Sequence, residues 1–215
     1  GALVAGDDAN PNDPAHALGD LFWVKFVEGQ LIQHRMKGVE PRARGPVVAA
    51  FDRSGSMSGL PEVWCKAVGL VLARLAVKQG RRFTACEFDT SVVPVLTLDP
   101  DTSPHEREAK IMSWIQRSSV GGGTAFEPPL NWCMDQIESA KTYRDADIVF
   151  VTDGQCGVSE VWRDRFHDRK KKAGTRLVAV GLQCRGAVRS MESFCDDVAD
   201  IDDLSADAAE VVFGV

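Results

Sequence analysis

The sequence predicts an α/β domain: an open, mostly parallel sheet with helices on both faces and one antiparallel edge strand. Three observations point that way. The stretches Val47–Phe51, Asp147–Val151 and Arg176–Leu182 are short apolar runs of the kind found in strands covered on both faces. Segments with apolar residues at helical spacing separate them, so buried strands and helices alternate along the chain. Arg82–Phe88 and Val92–Leu98 are divided only by Asp89-Thr90-Ser91, which reads as a hairpin and supplies the antiparallel edge.

Taken in order, residues 1–19 are rich in Gly, Asp, Asn and Pro, lack periodicity and read as a flexible lead-in. Residues 20–45 read as a helical extension and linker, with Asp20 as N-cap, apolar Leu21, Val24, Val27 and Leu31, and Gly38 as a stop. The main domain is expected over residues 46–215. After the Val47–Phe51 strand, Pro61–Gln79 carries a wide apolar stripe (Val63, Trp64, Ala67, Val68, Val71, Leu72, Leu75), with Pro61 in the first turn and Gly80 at the end. Beyond the hairpin, Ser103–Arg117 and Glu127–Lys141 read as helices with prolines near their starts. Then follow the Asp147–Val151 strand, a helix over Ser159–Lys172 ended by Gly174, and the Arg176–Leu182 strand. A short helix (Ala187–Cys195), a short strand (Val198–Ile201) and a final helix (Ser205–Phe213) complete the pattern.

The 215 residues suffice for one domain with a sizeable core. A net charge of −6 argues against a general nucleic-acid surface. The only basic run, Arg169–Lys172, reads as a solvated helix end, and Asp196–Asp207 as a solvated acidic surface. No apolar run approaches the roughly 20 residues of a membrane span, and no signal peptide is visible. The six cysteines form no CxxC pair or framework spacing, which points to a reduced, cytosolic setting. Cys86 and Cys133 read as small core residues.

Five residues in three loops carry the chemistry. Asp52, Ser54 and Ser56 stand in FDRSGSMSG, Thr124 in GGGTAF and Asp153 in VFVTDG. In an open α/β sheet, ligands gather at the carboxyl ends of the strands; Asp52 and Asp153 stand at such ends and Gly121–Thr124 precedes a helix, so all three loops can converge on one edge. Two carboxylates and three hydroxyls are hard oxygen donors that suit Mg2+, with Mn2+ or Ca2+ as alternatives; the absence of His and Cys among them argues against zinc. Taken singly, each loop has a plainer reading. Asp52 and Ser54 are the residue types that cap a helix, and Asp153-Gly154 is a common turn pair.

In combination, DRSGS, the GGT of GGGTAF and VTDG resemble the metal-ion-dependent adhesion site (MIDAS) of von Willebrand factor type A domains. The strand–helix order from about residue 45 onward also resembles that Rossmann-like fold. The resemblance implies that Ser54, Ser56 and Thr124 ligate the metal, that Asp52 and Asp153 act mainly through bound waters, and that an Asp or Glu of a protein partner fills an open position. GQLIQHRMKG, RGPVVAAFDRSGSM, GGGTAFEPPL and ADIVFVTDG are further similar to bacterial intracellular type A proteins of the ViaA and CoxE-like kind, which implies a MoxR-type AAA+ ATPase as partner.

Enzymatic readings fit the residues less well. A phosphatase would place its nucleophile where Asp52 stands, yet it wants a second carboxylate two residues on, where this chain has Ser54. A serine nucleophile elbow around Gly55–Gly59 would have Met57 at its centre. None of His16, His34, His105 and His167 stands where a base is needed. The expectation is therefore a non-catalytic, metal-dependent adaptor. An extracellular adhesion module is the remaining alternative.

Overall fold

In the computed structural model, the described residues are 45–117, 120–139, 145–154, 156–183 and 188–201. The expected lead-in, the N-terminal helix and the final helix lie outside them. The elements run β1 (Val47–Asp52), α1 (Leu60–Lys78), β2 (Phe83–Phe88), β3 (Val92–Leu98), α2 (Pro104–Ile115), α3 (Glu127–Ser139), β4 (Asp147–Thr152), α4 (Glu160–Ala173), β5 (Arg176–Leu182), α5 (Val188–Glu192) and β6 (Asp197–Ile201). The six strands form one sheet in the order β3-β2-β1-β4-β5-β6. Every pairing is parallel except β2 with β3, so the hairpin occupies an antiparallel edge as expected.

Local signals explain where the helices begin and end. The Ser103 hydroxyl accepts the Glu106 N–H at 3.3 Å and the Ser159 hydroxyl accepts the Trp162 N–H at 3.4 Å, each satisfying an orphan donor of the first turn. Gly174, at φ +66°, closes α4 in the left-handed conformation.

The sheet is buried on both sides, and strand alternation sorts its residues between two cores. Val48, Ala50, Phe88, Ile148, Phe150, Leu177 and Ala179 meet α3, α4 and α5. Val47, Ala49, Phe51, Phe83 and Ala85 meet α1 and α2. Aromatic contacts fix each side: Phe88 stacks on Phe150 at 4.9 Å, Phe126 packs edge-on to Phe150 at 5.0 Å, and Phe51 lies 5.0 Å from Trp114. Cys86 and Cys133 are core thiols as expected, and the five described cysteines are free. Among the described residues no helix is long and apolar enough to cross a membrane.

Two surface expectations need correction. The run Arg169–Lys172 is only partly a solvated helix end. Lys170 is 3% exposed and donates to the Phe194 carbonyl at 3.0 Å and to Asp196 at 2.7 Å. Arg169 grips Asp135 and Glu138 on α3. Asp196 also accepts the Leu177 N–H at 2.7 Å, and Asp197 pairs with Arg176 at 2.8 Å, so the start of the acidic stretch pins the β5–β6 edge. The physical reason is that the last turn of α4 packs over this connection, where the lysine ammonium replaces water for two acceptors. Lys170→Met is expected to lower stability by roughly 1.5–3 kcal/mol, the range for charge-assisted hydrogen bonds. Urea denaturation would measure it, and an unchanged midpoint would contradict the burial.

Candidate metal centre

β1 and β4 are neighbouring parallel strands, with Phe51 opposite Val151. The strand order reverses here, because the chain leaves β1 for β2 on one side and later returns to β4 on the other. Loops diverging from such a switch point leave a crevice at the carboxyl edge. Asp52 is the last residue of β1, and Asp153 follows Thr152, the last residue of β4. Both carboxylates therefore leave the sheet at the same place.

Asp52 is 3% exposed and fully engaged by its neighbours. Its Oδ1 accepts the Ser54 N–H at 2.7 Å, and its Oδ2 accepts the Thr152 hydroxyl. A single 3-10 turn, Gly55–Met57, follows, and Met57 is buried beneath it. This turn brings the hydroxyls of Ser54 and Ser56 within 3.1 Å of each other. Ser56 then donates to Asp153 Oδ1 at 2.9 Å. Asp52, Ser54, Ser56 and Asp153 thus form one continuous polar chain, from the buried floor to the open rim where Ser56 is exposed.

The third loop closes over this chain. Gly121 N–H donates to the Arg53 carbonyl at 2.9 Å, Gly55 N–H to the Gly122 carbonyl at 3.1 Å, and Ala125 N–H to the Asp89 carbonyl at 3.0 Å. A Cβ at Gly154 would lie 3.6 Å from Thr124 Oγ1 and 3.5 Å from Thr152 Oγ1, which places Thr124 directly over the Asp153 turn. All five residues singled out in the sequence are brought to one edge.

Comparison with solved structures identifies the architecture. A type A protein from Catenulispora acidiphila superposes on 79% of this chain with a TM-score of 0.59 at 17% identity, covering 42% of that structure. The type A domain of SpRpn10 superposes on 78% with a TM-score of 0.59 at 14% identity, covering 94% of that structure. The fold is that of a von Willebrand factor type A domain. No family model matches the sequence. By sequence the type A domain is similar to an uncharacterized protein of Methanocaldococcus jannaschii, 29% identical over 192 residues, 89% of this chain and 43% of that protein. It is also similar to the regulatory protein ViaA of Proteus mirabilis, 28% identical over 148 residues, 61% of this chain and 29% of that protein. The chain spans less than half the length of these relatives.

The type A domain's two central carboxylates are electrostatically unsettled. Burial pushes the Asp52 carboxyl above its ordinary value, against the lowering effect of its hydrogen bonds from Thr152 and Ser54, and nearby Asp153 raises it further. Burial likewise raises Asp153, in spite of the Ser56 hydrogen bond. Among the described residues no lysine or arginine pairs with either. Two adjacent acids, three hydroxyls and no basic partner fit a hard divalent cation, which would supply the missing positive charge. Asp52 and Ser54 would form the floor of such a site, and Ser56, Thr124 and Asp153 its rim.

Other contributors were not singled out by the sequence reading. Thr152 orients Asp52 and accepts the Gly154 N–H at 3.0 Å; the only signal was its place in VTDG. Asp89 pairs with Arg53 at 2.8 Å, and its Oδ1 accepts from Ser91 N–H and Oγ at 2.6 and 2.7 Å. Burial tends to raise the Asp89 carboxyl, but the Ser91 hydrogen bonds and Arg53 outweigh it and hold the group below its ordinary value. Glu127 accepts the Ser159 N–H and hydroxyl at 2.9 and 3.1 Å and ties α3 to the start of α4.

Proposed function

We propose that this type A domain is a Mg2+-dependent protein-binding adaptor that receives an Asp or Glu of a protein partner at its metal site and works with a MoxR-type AAA+ ATPase. The supporting observation is the unbroken chain Asp52–Ser54–Ser56–Asp153 at the switch point, two carboxylates of which meet no basic side chain among the described residues. In this reading the hydroxyls of Ser54, Ser56 and Thr124 hold the cation. Asp52 balances its charge from the floor and Asp153 from the rim, and the exposed side of Ser56 faces the partner. The bound cation supplies an electrophilic socket for a carboxylate. Such a charge-assisted contact, once desolvated, matters out of proportion to its area.

The similarity to the regulatory protein ViaA supports the adaptor reading. The environment of Asp52 weighs against a phosphatase. A nucleophilic carboxylate must offer a free oxygen to its substrate, whereas both Asp52 oxygens accept hydrogen bonds and the residue is 3% exposed. That the five described cysteines are all free weighs against a disulfide-braced adhesion module.

The test uses the full chain and the MoxR-type ATPase of the same genome. Binding measured by biolayer interferometry in Mg2+ is expected to disappear in EDTA, and to be lost in the double variant Asp52→Ala, Ser54→Ala while the circular dichroism spectrum is kept. Binding that survives both treatments defeats the proposal. Phosphomonoester turnover that needs Mg2+ and Asp52 would establish the phosphatase in its place.

A further inference from the structure

We infer that Arg53 and Asp89 form a positioning pair that presets the Gly121–Thr124 loop for a small cation and so gives the site a preference for Mg2+ over Ca2+; the inference rests on the metal-dependent reading above. Neither residue belongs to the five oxygen donors. Arg53 leaves β1 between Asp52 and Ser54, and Asp89 directly follows β2, one strand away. Their ion pair, at 2.8 Å, spans the gap between the first metal loop and the β2–β3 turn.

The glycine loop is wedged into that junction. Arg53 accepts the Gly121 N–H through its carbonyl at 2.9 Å, and Asp89 accepts the Ala125 N–H through its carbonyl at 3.0 Å, so the pair's two main chains hold both ends of the loop. The Arg53 N–H itself donates to Phe88 at 2.8 Å. Between these ends, Gly122 takes φ +84°, and a Cβ there would sit 3.3 Å from the Cβ, Cγ and Oδ2 of Asp89. A Cβ at Gly123 would sit 3.4 Å from Thr90 Cγ2. The Asp89 side chain thus forms the wall on which Gly122 rests, and Arg53 fixes that wall. Ser91 holds the other carboxylate oxygen. Thr124, next along the loop, is carried by this clamp to its place over Gly154.

Rigidity matters because the two ions tolerate error differently. Mg2+ demands near-ideal octahedral oxygens at about 2.0–2.1 Å, whereas Ca2+ accepts longer and more variable ligands. A loop fixed at both ends and at its centre favours the stricter ion. A loosened loop would lose Mg2+ affinity first.

The experiment titrates the full chain with Mg2+ and, separately, with Ca2+ by isothermal titration calorimetry, beside a melting curve of the metal-free protein. Asp89→Asn keeps an acceptor for Ser91 and the carbonyl for Ala125 but removes the charge facing Arg53. Arg53→Met keeps both main-chain bonds. Each is expected to weaken Mg2+ binding about tenfold and Ca2+ binding less than threefold, with little change in the metal-free melting temperature. The double variant is expected to be no worse than either single change, since both remove the same contact. Unchanged Mg2+ affinity in both singles overturns the pairing and leaves the metal site standing. Equal losses for the two ions, adding up in the double variant, also overturn it in favour of general loosening. A wild-type chain that binds neither ion removes the metal site and the positioning pair together.

Discussion

Asp52→Asn is expected to raise the melting temperature of the metal-free chain at neutral pH and to abolish its response to Mg2+. The two effects have one cause. Asp52 sits at the buried floor beside Asp153 with no basic partner among the described residues, so in the proposed reading its charge is a liability until a cation binds. An asparagine can keep both local hydrogen bonds, accepting from the Ser54 N–H and donating to the Thr152 hydroxyl. It removes the charge and with it the site's purchase on a dication. Each kcal/mol relieved in a domain of this size corresponds to about 2–4 °C. The wild-type chain should respond strongly: a ligand at a hundred times its Kd stabilises by about 2.7 kcal/mol, or roughly 5–11 °C at that conversion. Differential scanning calorimetry with Mg2+ and with EDTA reads both effects. A variant that is less stable than wild type without metal, or still shifted by Mg2+, would show that Asp52 is not an uncompensated metal-site carboxylate.

The sign of the pH dependence follows from the same burial. Asp52 and Asp153 have folded values raised above the ordinary 3.8, so the folded metal-free chain holds their protons more tightly than the unfolded chain does. Their contribution to stability is fully present below that ordinary value and is lost as pH rises through the folded values. The advantage of Asp52→Asn over wild type, measured without metal, should therefore be small in acid and grow toward neutrality. The Mg2+ response should grow over the same window, because protons compete for the ligands. A Mg2+ shift that is constant with pH would count against carboxylate involvement.

How much of this was legible in the sequence depends on what each residue answers to. β5 begins and ends where its apolar run does, and the hairpin turn falls at Asp89–Ser91, because buried strands and turn residues are local signals. The five oxygen donors were legible for a related reason: Asp52, Ser54 and Asp153 stand at or within two residues of a strand end, while Ser56 and Thr124 belong to the short runs DRSGS and GGGT, which carry their own local signal. The Arg53–Asp89 pair was not legible, since it joins residues 36 apart whose meeting depends on β1 and β2 being neighbours. Lys170 was misread because its sequence neighbours are all charged, and only the packing of α4 over the Phe194–Asp196 connection buries its ammonium. The 3-10 turn at Gly55–Met57 escaped periodicity because three residues carry no period, although it is what aligns Ser54 with Ser56.

Gly69→Ala is the change where local and tertiary reasoning give opposite signs. Gly69 lies inside α1, and by helix propensity alone an alanine should stabilise by about 0.8–1 kcal/mol. The space around it says otherwise. A Cβ there would meet Trp114 Cη2 at 2.1 Å, Trp114 Cζ3 at 2.8 Å and Phe51 Cζ at 2.9 Å. Neither ring has an easy retreat. Trp114 is 1% exposed, donates its Nε1–H to Glu87 at 2.8 Å and carries the Lys66 ammonium 4.6 Å from its ring. Phe51 is 1% exposed in the middle of the sheet. Overpacking typically costs 1–3 kcal/mol, and with both rings held the effect should reach about 3 kcal/mol net, a fall of roughly 6–12 °C. The damage should extend to the proposed metal edge, because Phe51 directly precedes Asp52 and a shift of its ring is expected to move the end of β1. Mg2+ affinity is therefore expected to fall with stability. Trp114→Phe in the Gly69→Ala background removes the two clashing indole atoms and should recover part of both losses, more than the single changes predict by addition. If Gly69→Ala instead stabilises the chain by the amount that propensity gives, the packing of Phe51 and Trp114 against α1 is wrong. The link drawn from that core to the metal-binding edge then falls with it.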